Sequence, residues 1–193
     1  FDTWLAPRLR VHGDFDVVAE FDGLSWKDLD TGCQGVNLAV ITEDISEDVG
    51  KIHCRVFRGV HLASGNVTSD LVQAQVHRFQ TGNYRARVYG TAAEESASGR
   101  LRIARRGDRI YCLFAQQDSP QFRVLHEEVV SDSSLVMDGV RLMSQAIVET
   151  AGDAELAVVW KRLSVRAERM TDRPVANPQQ LIAALDRHRL RLR

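Results

Sequence analysis

No apolar run in this 193-residue sequence approaches the roughly 18 residues that a membrane-spanning helix needs, which excludes a helical span. An excess of one charge is also missing: 25 Lys and Arg against 26 Asp and Glu leave a net charge of -1, so no overall electrostatic footprint for nucleic acid exists. Cysteine is scarce. Three residues cannot all pair within the chain. Cys54 and Cys112 fall on the apolar side of alternating segments, where a free Cys behaves as a small hydrophobe. Cys33, in Thr31-Gly32-Cys33-Gln34-Gly35, reads as part of a loop. The expectation is three reduced thiols, with a single disulfide as the alternative. Internal repeats, low-complexity segments and, before about residue 176, helical periodicity are all lacking. The chain begins at Phe1 without the charged and apolar regions of a signal peptide and ends in a basic amphipathic segment. It reads as an excised piece of a longer protein or a processed chain.

What is present is period-2 alternation. At 44% hydrophobic and 26% charged residues the composition is that of an ordinary globular domain with enough chain for a sizeable core. Arg100 to Ala115 is the clearest hairpin: Leu101 and Ile103 oppose Arg100, Arg102 and Ala104, the chain turns at Arg106-Gly107-Asp108, and Ile110, Cys112 and Phe114 oppose Tyr111 and Leu113. That turn accounts for the Arg-Gly-Asp tripeptide. The same grammar recurs over 9–22 (after a turn at His12-Gly13-Asp14), 51–58, 71–79, 84–89, 122–128, 139–146 and 154–167, with an expected break near Lys161-Arg162, while 36–42 is a nearly all-apolar run, as expected of a strand covered on both sides. About ten short strands without room for crossover helices predict an all-β fold, an antiparallel two-sheet β-sandwich of jelly-roll type over 1–170. Residues 171–193 read as a linker and short C-terminal helix: Asn177 is a good N-cap, Pro178 suits the first helical position, and Leu181, Ile182 and Leu185 recur at helical spacing. The arginines of Arg187 to Arg193 fit a solvated helix end.

Gly13 to Leu24 (GDFDVVAEFDGL), the hairpin RRGDRIYCLFA and the closing Ala157 to Glu168 (AVVWKRLSVRAE) together resemble strands of the concanavalin A-like lectin/glucanase superfamily. The combination is similar to an uncharacterised bacterial family that carries this laminin-G-like jelly roll within large multidomain proteins. The resemblance implies a carbohydrate-facing sheet, an extracytoplasmic setting and neighbouring domains as partners. It does not imply a reaction.

The residues offer several candidate sites. Alternation puts His53 and Arg55 on the polar face of one strand, and Gln73, Gln75 and His77 on that of another. If the strands are neighbours, these planar donors and acceptors suit sugar hydroxyls, with Trp26 as an exposed stacking platform. Trp4 and Trp160 read as core. A glycosidase is disfavoured, because in Glu43-Asp44-Ile45-Ser46-Glu47-Asp48 the position between the two glutamates is Ile45 rather than Asp. A lyase would need His53 or His77 to meet Tyr84 or Tyr89 and Arg55 or Arg87. No His-x-His or His-Glu-x-x-His pattern unites His53, His61 and His77 around a metal. Asp14, Asp16, Asp22, Asp28 and Asp30 could supply oxygens to a structural calcium, most plausibly near Asp28 to Asp30, though Asp is common in turns for its own reasons. No cofactor is otherwise expected. Asn66-Val67-Thr68 is a glycosylation sequon only in a eukaryotic secretory setting. The reading is a non-catalytic carbohydrate-binding module, with a polysaccharide lyase or hydrolase, or a structural or protein-interaction module, as alternatives.

Overall fold

Every alternating run becomes a strand in the computed structural model, which describes residues 2–7, 9–27, 32–43, 51–63, 66–67, 70–80, 83–130, 136–147 and 155–172. The strands are β1 (Asp2–Leu5), β2 (Leu9–Trp26), β3 (Gly32–Glu43), β4 (Lys51–Ala63), β5 (Asn66–Val67), β6 (Leu71–Gln80), β7 (Asn83–Ala93), β8 (Gly99–Arg106), β9 (Arg109–Gln116), β10 (Arg123–Val129), β11 (Val136–Ile147) and β12 (Leu156–Asp172). All pairings are antiparallel. One sheet runs β12-β2-β8-β9-β10 and the other β11-β3-β4-β6-β7, with β1 beside β11 and β5 beside β4. A single register pair, Met137 with Val11, carries hydrogen bonding from one sheet to the other.

The sheets pack face to face because each strand has one apolar side. Val17, Ala19 and Phe21 of β2, Leu101 and Ile103 of β8, and Ile110 and Cys112 of β9 meet Leu38 and Val40 of β3, Ile52, Cys54 and Val56 of β4, and Val72 and Ala74 of β6. Burying each large aliphatic side chain contributes about 1.5–3 kcal/mol relative to exposure. At the centre, the thiols of Cys54 and Cys112 touch across the two sheets. The hydrogen bond from Cys54, together with burial, pushes the Cys112 thiol well above its ordinary value. No disulfide forms, and all three cysteines are thiols.

The hairpin closes at the pair Arg106 with Arg109, and Gly107 takes a positive φ of 58° in the first of the two turn positions. The Oδ1 of Asp14 accepts a 2.7 Å hydrogen bond from its N–H.

Three local expectations change. His12-Gly13-Asp14 is no turn: β2 runs through it as a bulge in its pairing with β12, Gly13 and Asp14 together standing opposite Glu168 between the pairs His12 with Arg169 and Phe15 with Ala167, and Gly13 takes φ 73°. Cys33 lies within β3 rather than in a loop, since pairing with β4 on one side and β11 on the other overrides its flanking glycines. The expected break at Lys161-Arg162 is a register shift between Trp160 and Arg162 inside a continuous strand. The short β1 and β5 carry too few residues to show a period. The expected C-terminal helix, Asp28 to Asp30, and the acidic segment after Glu43 lie outside the described residues.

Candidate functional site

The strands bearing the expected polar patch are neighbours. β4 and β6 pair with His53 opposite His77, Arg55 opposite Gln75 and Phe57 opposite Gln73. These side chains share the face turned away from the Cys54 and Val56 core. His77 Nε2 lies 3.5 Å from Gln75 Oε1, and the His53 ring stands 4.7 Å from Phe79 and 6.5 Å from His77, centroid to centroid. Burial, followed by the Arg55 charge, holds the His77 imidazole below its ordinary value. His53, Arg55, Gln75 and His77 are half-buried, whereas Gln73 is only 4% exposed and Phe57 2%.

Trp26 does not join them. It ends β2 opposite Leu156, packs half-buried against the core, and has the Arg58 guanidinium 5.3 Å above its ring centroid. Arg58 points to the core side of β4, opposite to His53 and Arg55. Trp26 is therefore the last rung of a strand and not the exposed platform expected of a loop residue. Trp160 meets Phe21 edge to face at 6.3 Å, as a core residue should. The side chains of Trp4, His61 and Tyr84 lie outside the described residues.

The lyase set does not converge either. Arg87 and Tyr89 pair with Val76 and Ala74, so they share the core-side face of β7, away from His53 and His77. Tyr89 instead stacks on His126 of β10, rings parallel within 9° and 3.8 Å apart. His126 contacts Glu128 at 2.8 Å, and Glu128 pairs with Arg78. Burial would raise the Glu128 carboxyl, but the hydrogen bonds from His126 and Arg78 outweigh it and hold the group below its ordinary value. This polar clasp closes the edge where the two sheets meet, beside a cavity of about 270 Å³ lined by Arg78, Arg85, Arg87 and Tyr89. Sequence reasoning missed it because residues 89 and 126 are joined only by tertiary contact.

The described aspartates are already engaged. Asp14 binds the Gly107 turn, Asp16 binds Arg102, and Asp22 accepts from Ser98 at 2.5 Å and from the Gly23 N–H at 2.9 Å with Lys161 3.3 Å away. The Ser98 hydrogen bond, then Lys161, holds Asp22 below its ordinary value. Among the described residues no group of three His, Cys, Asp or Glu side chains is arranged to hold a metal ion.

A groove of about 340 Å³ crosses the outer face of the other sheet, lined by Asp16, Val18, Glu20, Arg100, Arg102, Phe122, Arg162, Ser164 and Arg166. Strand register builds it. Three rungs run across β12, β2 and β8: Arg162, Glu20 and Arg100; Ser164, Val18 and Arg102; Arg166, Asp16 and Ala104. Alternation turns all these side chains away from the Val17, Ala19 and Leu101 core. Asp16 accepts two hydrogen bonds from Arg102, at 2.8 and 2.5 Å. Phe122, half-buried, lies under the guanidinium groups of Arg100 and Arg102, 4.9 and 5.1 Å from its centroid. The result is a rigid sheet surface with planar polar groups, a hydroxyl and an aromatic ring.

Solved structures share the architecture. The CBM2 module of Lactobacillus casei BL23 phage J-1 evolved Dit aligns over 83% of this chain and 62% of its own at 8% identity and TM-score 0.50. A functionally unknown protein from Saccharomyces cerevisiae aligns over 86% and 74% at 12% identity and TM-score 0.49. The VIP36 exoplasmic/lumenal domain, in a Ca2+/Man-bound form, aligns over 83% and 81% at 12% identity and TM-score 0.45. At these identities the likeness is one of fold. No curated protein matches the chain at a significant level. A family model described as "Protein of unknown function (DUF1583) C domain" matches residues 2–193.

Proposed function

We infer that this chain, which belongs to the DUF1583 C-domain family, is a non-catalytic carbohydrate-binding module on a scaffold of the concanavalin A-like kind, acting beside neighbouring domains outside the cytoplasm. The observation that carries the reading is the groove over β12, β2 and β8. Its volume of about 340 Å³ falls at the low end of the range for small-ligand sites. Its planar donors and acceptors suit the vicinal hydroxyls of a sugar, and Phe122 offers apolar surface to a ring face. The fold shared with the phage CBM2 module supports the same reading at the level of the scaffold.

The groove carboxylates argue against hydrolysis. A glycosidase needs two carboxyl groups free to act as acid and as nucleophile or base. Asp16 is closed onto Arg102 through both of its oxygens, which leaves Glu20 as the groove's other carboxylate.

A glycan array probed with this chain tests the reading. Binding to at least one glycan class is expected, with the signal lost in Phe122→Ala and Arg100→Ala variants that keep their β-sheet circular dichroism. Silence across a broad array, or hits that survive both substitutions, would overturn it.

A further inference from the structure

The groove's charges do not cancel. Four arginines face two carboxylates, an excess of two positive charges on one sheet face of a chain whose net charge is -1. The arginines are also unequally engaged. Arg102 is closed onto Asp16, and Arg100 donates to the Ser119 carbonyl while stacking on Phe122. The buried Nε of Arg100 has no acceptor. Arg162 and Arg166 are exposed, and neither makes a side-chain hydrogen bond or ion pair among the described residues. Arg162 is the register partner of Glu20 and Arg166 that of Asp16, yet among the described residues neither acid forms an ion pair with its partner.

We propose that this groove takes an anionic saccharide, a sugar chain bearing carboxylate or sulfate groups, with Arg162 and Arg166 as its anion receptors. The proposal rests on the carbohydrate reading above and names the class of sugar. A guanidinium presents paired N–H donors in a planar fork that fits a tetrahedral or planar oxyanion better than a point charge does. The backbone positions of the two arginines lie about 13 Å apart along one strand, farther than one sugar ring spans, so an occupant that engages both in place is an oligosaccharide lying along β12. Ser164 lies between the forks and faces a hydroxyl. Val18 and Phe122 form the apolar floor. Glu20 sits between Arg162 and Arg100 and is the one uncommitted negative charge of the site, which sets against any anion bound there.

Titration calorimetry with four probes tests this: an oligogalacturonate, a heparin-derived oligosaccharide, a neutral xylo-oligosaccharide and a poly-glutamate peptide of similar charge. At least one acidic saccharide is expected to bind at least tenfold more tightly than the neutral one and the peptide, with affinity falling as salt rises. The Arg162→Ala/Arg166→Ala double variant loses at least tenfold of that affinity, and Glu20→Gln gains severalfold. Because Arg162 and Arg166 are exposed and make no side-chain hydrogen bond or ion pair among the described residues, the double variant is expected to keep its β-sheet circular dichroism. Preference for the neutral oligosaccharide would overturn the anionic assignment and leave the carbohydrate reading standing. Equal binding of poly-glutamate would replace the saccharide with a general polyanion. Binding of none of the four probes would overturn the anionic assignment, and the glycan array then decides the broader reading separately.

Discussion

Arg102 and Asp16 form a two-pronged ion pair across β8 and β2, with N–O distances of 2.8 and 2.5 Å and side chains 28% and 18% exposed. It joins a groove wall to its floor and holds Arg102 over Phe122. A double-mutant cycle on Asp16→Ala and Arg102→Ala, read by urea denaturation, is expected to give a coupling energy of about 1 kcal/mol, as for well-oriented pairs near the surface. A coupling indistinguishable from zero would mean that the pair does not organise the groove.

Titration of His77 and Glu128 gives stability a two-step pH dependence. Burial depresses the folded-state pKa of His77 below the unfolded value of 6.5, so the folded protein binds fewer protons than the unfolded chain as pH falls beneath that value. The His77 contribution is therefore complete above pH 6.5 and is lost below it. Glu128 is also depressed, from 4.5, by His126 and Arg78 against the opposing effect of burial. Its contribution is present above pH 4.5 and disappears as acid protonates it. Unfolding free energies measured from pH 8 to pH 3 are expected to fall in both windows. His77→Gln flattens the upper step and Glu128→Gln the lower. An unchanged profile in either variant would assign that step to another group.

Alternation in the sequence tells which side of its strand a residue takes, and this much was legible: Leu101, Ile103, Ile110 and Cys112 are all fully buried, and each was assigned to the core face. Alternation does not tell which strands are neighbours. That His53 meets His77 depends on β4 pairing with β6, which local pattern leaves open. The groove gathers residues 16–20, 100–102 and 162–166, so it exists only through long-range register. A signal was present nonetheless. The acidic outer face of β2 complements the arginine-bearing outer faces of β8 and β12, and opposite charges on facing rungs are what cross-strand pairing favours. Trp26 departs from the exposed platform that its sequence suggests because β2 runs its full 18 residues to that tryptophan.

Arg58 is the largest fully buried side chain among the described residues, at 1% exposure. Its Nε donates to the Ser96 carbonyl at 3.2 Å and a terminal nitrogen to the Gly59 carbonyl at 3.3 Å, while Asp70 lies 3.8 Å away and Trp26 stacks below. Burial lowers its pKa, opposed by the charge of Asp70. Arg58→Met is expected to destabilise by about 2–3 kcal/mol, because two carbonyls lose their donor and Asp70 its counter-charge. Arg58→Lys recovers little of this, since an ammonium cannot reach both carbonyls and cover the indole together. Chemical denaturation checks both. A full rescue by lysine would show that charge alone matters at this end of the sandwich.

Two sheet faces are candidates for the proposed ligand, and two double substitutions separate them. On the β4 and β6 face, Gln75 and His77 already contact each other, and His53 lies against Phe79. A sugar there would have to displace these contacts, whereas Arg162 and Arg166 in the groove make no side-chain hydrogen bond or ion pair among the described residues. Gln75→Ala/His77→Ala is therefore expected to leave glycan affinity within about twofold of the parent, while Arg162→Ala/Arg166→Ala reduces it at least tenfold, roughly 1.4 kcal/mol. Calorimetry on the two double variants with the same acidic oligosaccharide gives the comparison. The reverse pattern, loss in the Gln75 and His77 variant alone, would move the site to the β4 and β6 face and with it the chemistry, from charge recognition by guanidinium forks to hydroxyl recognition by amide and imidazole groups.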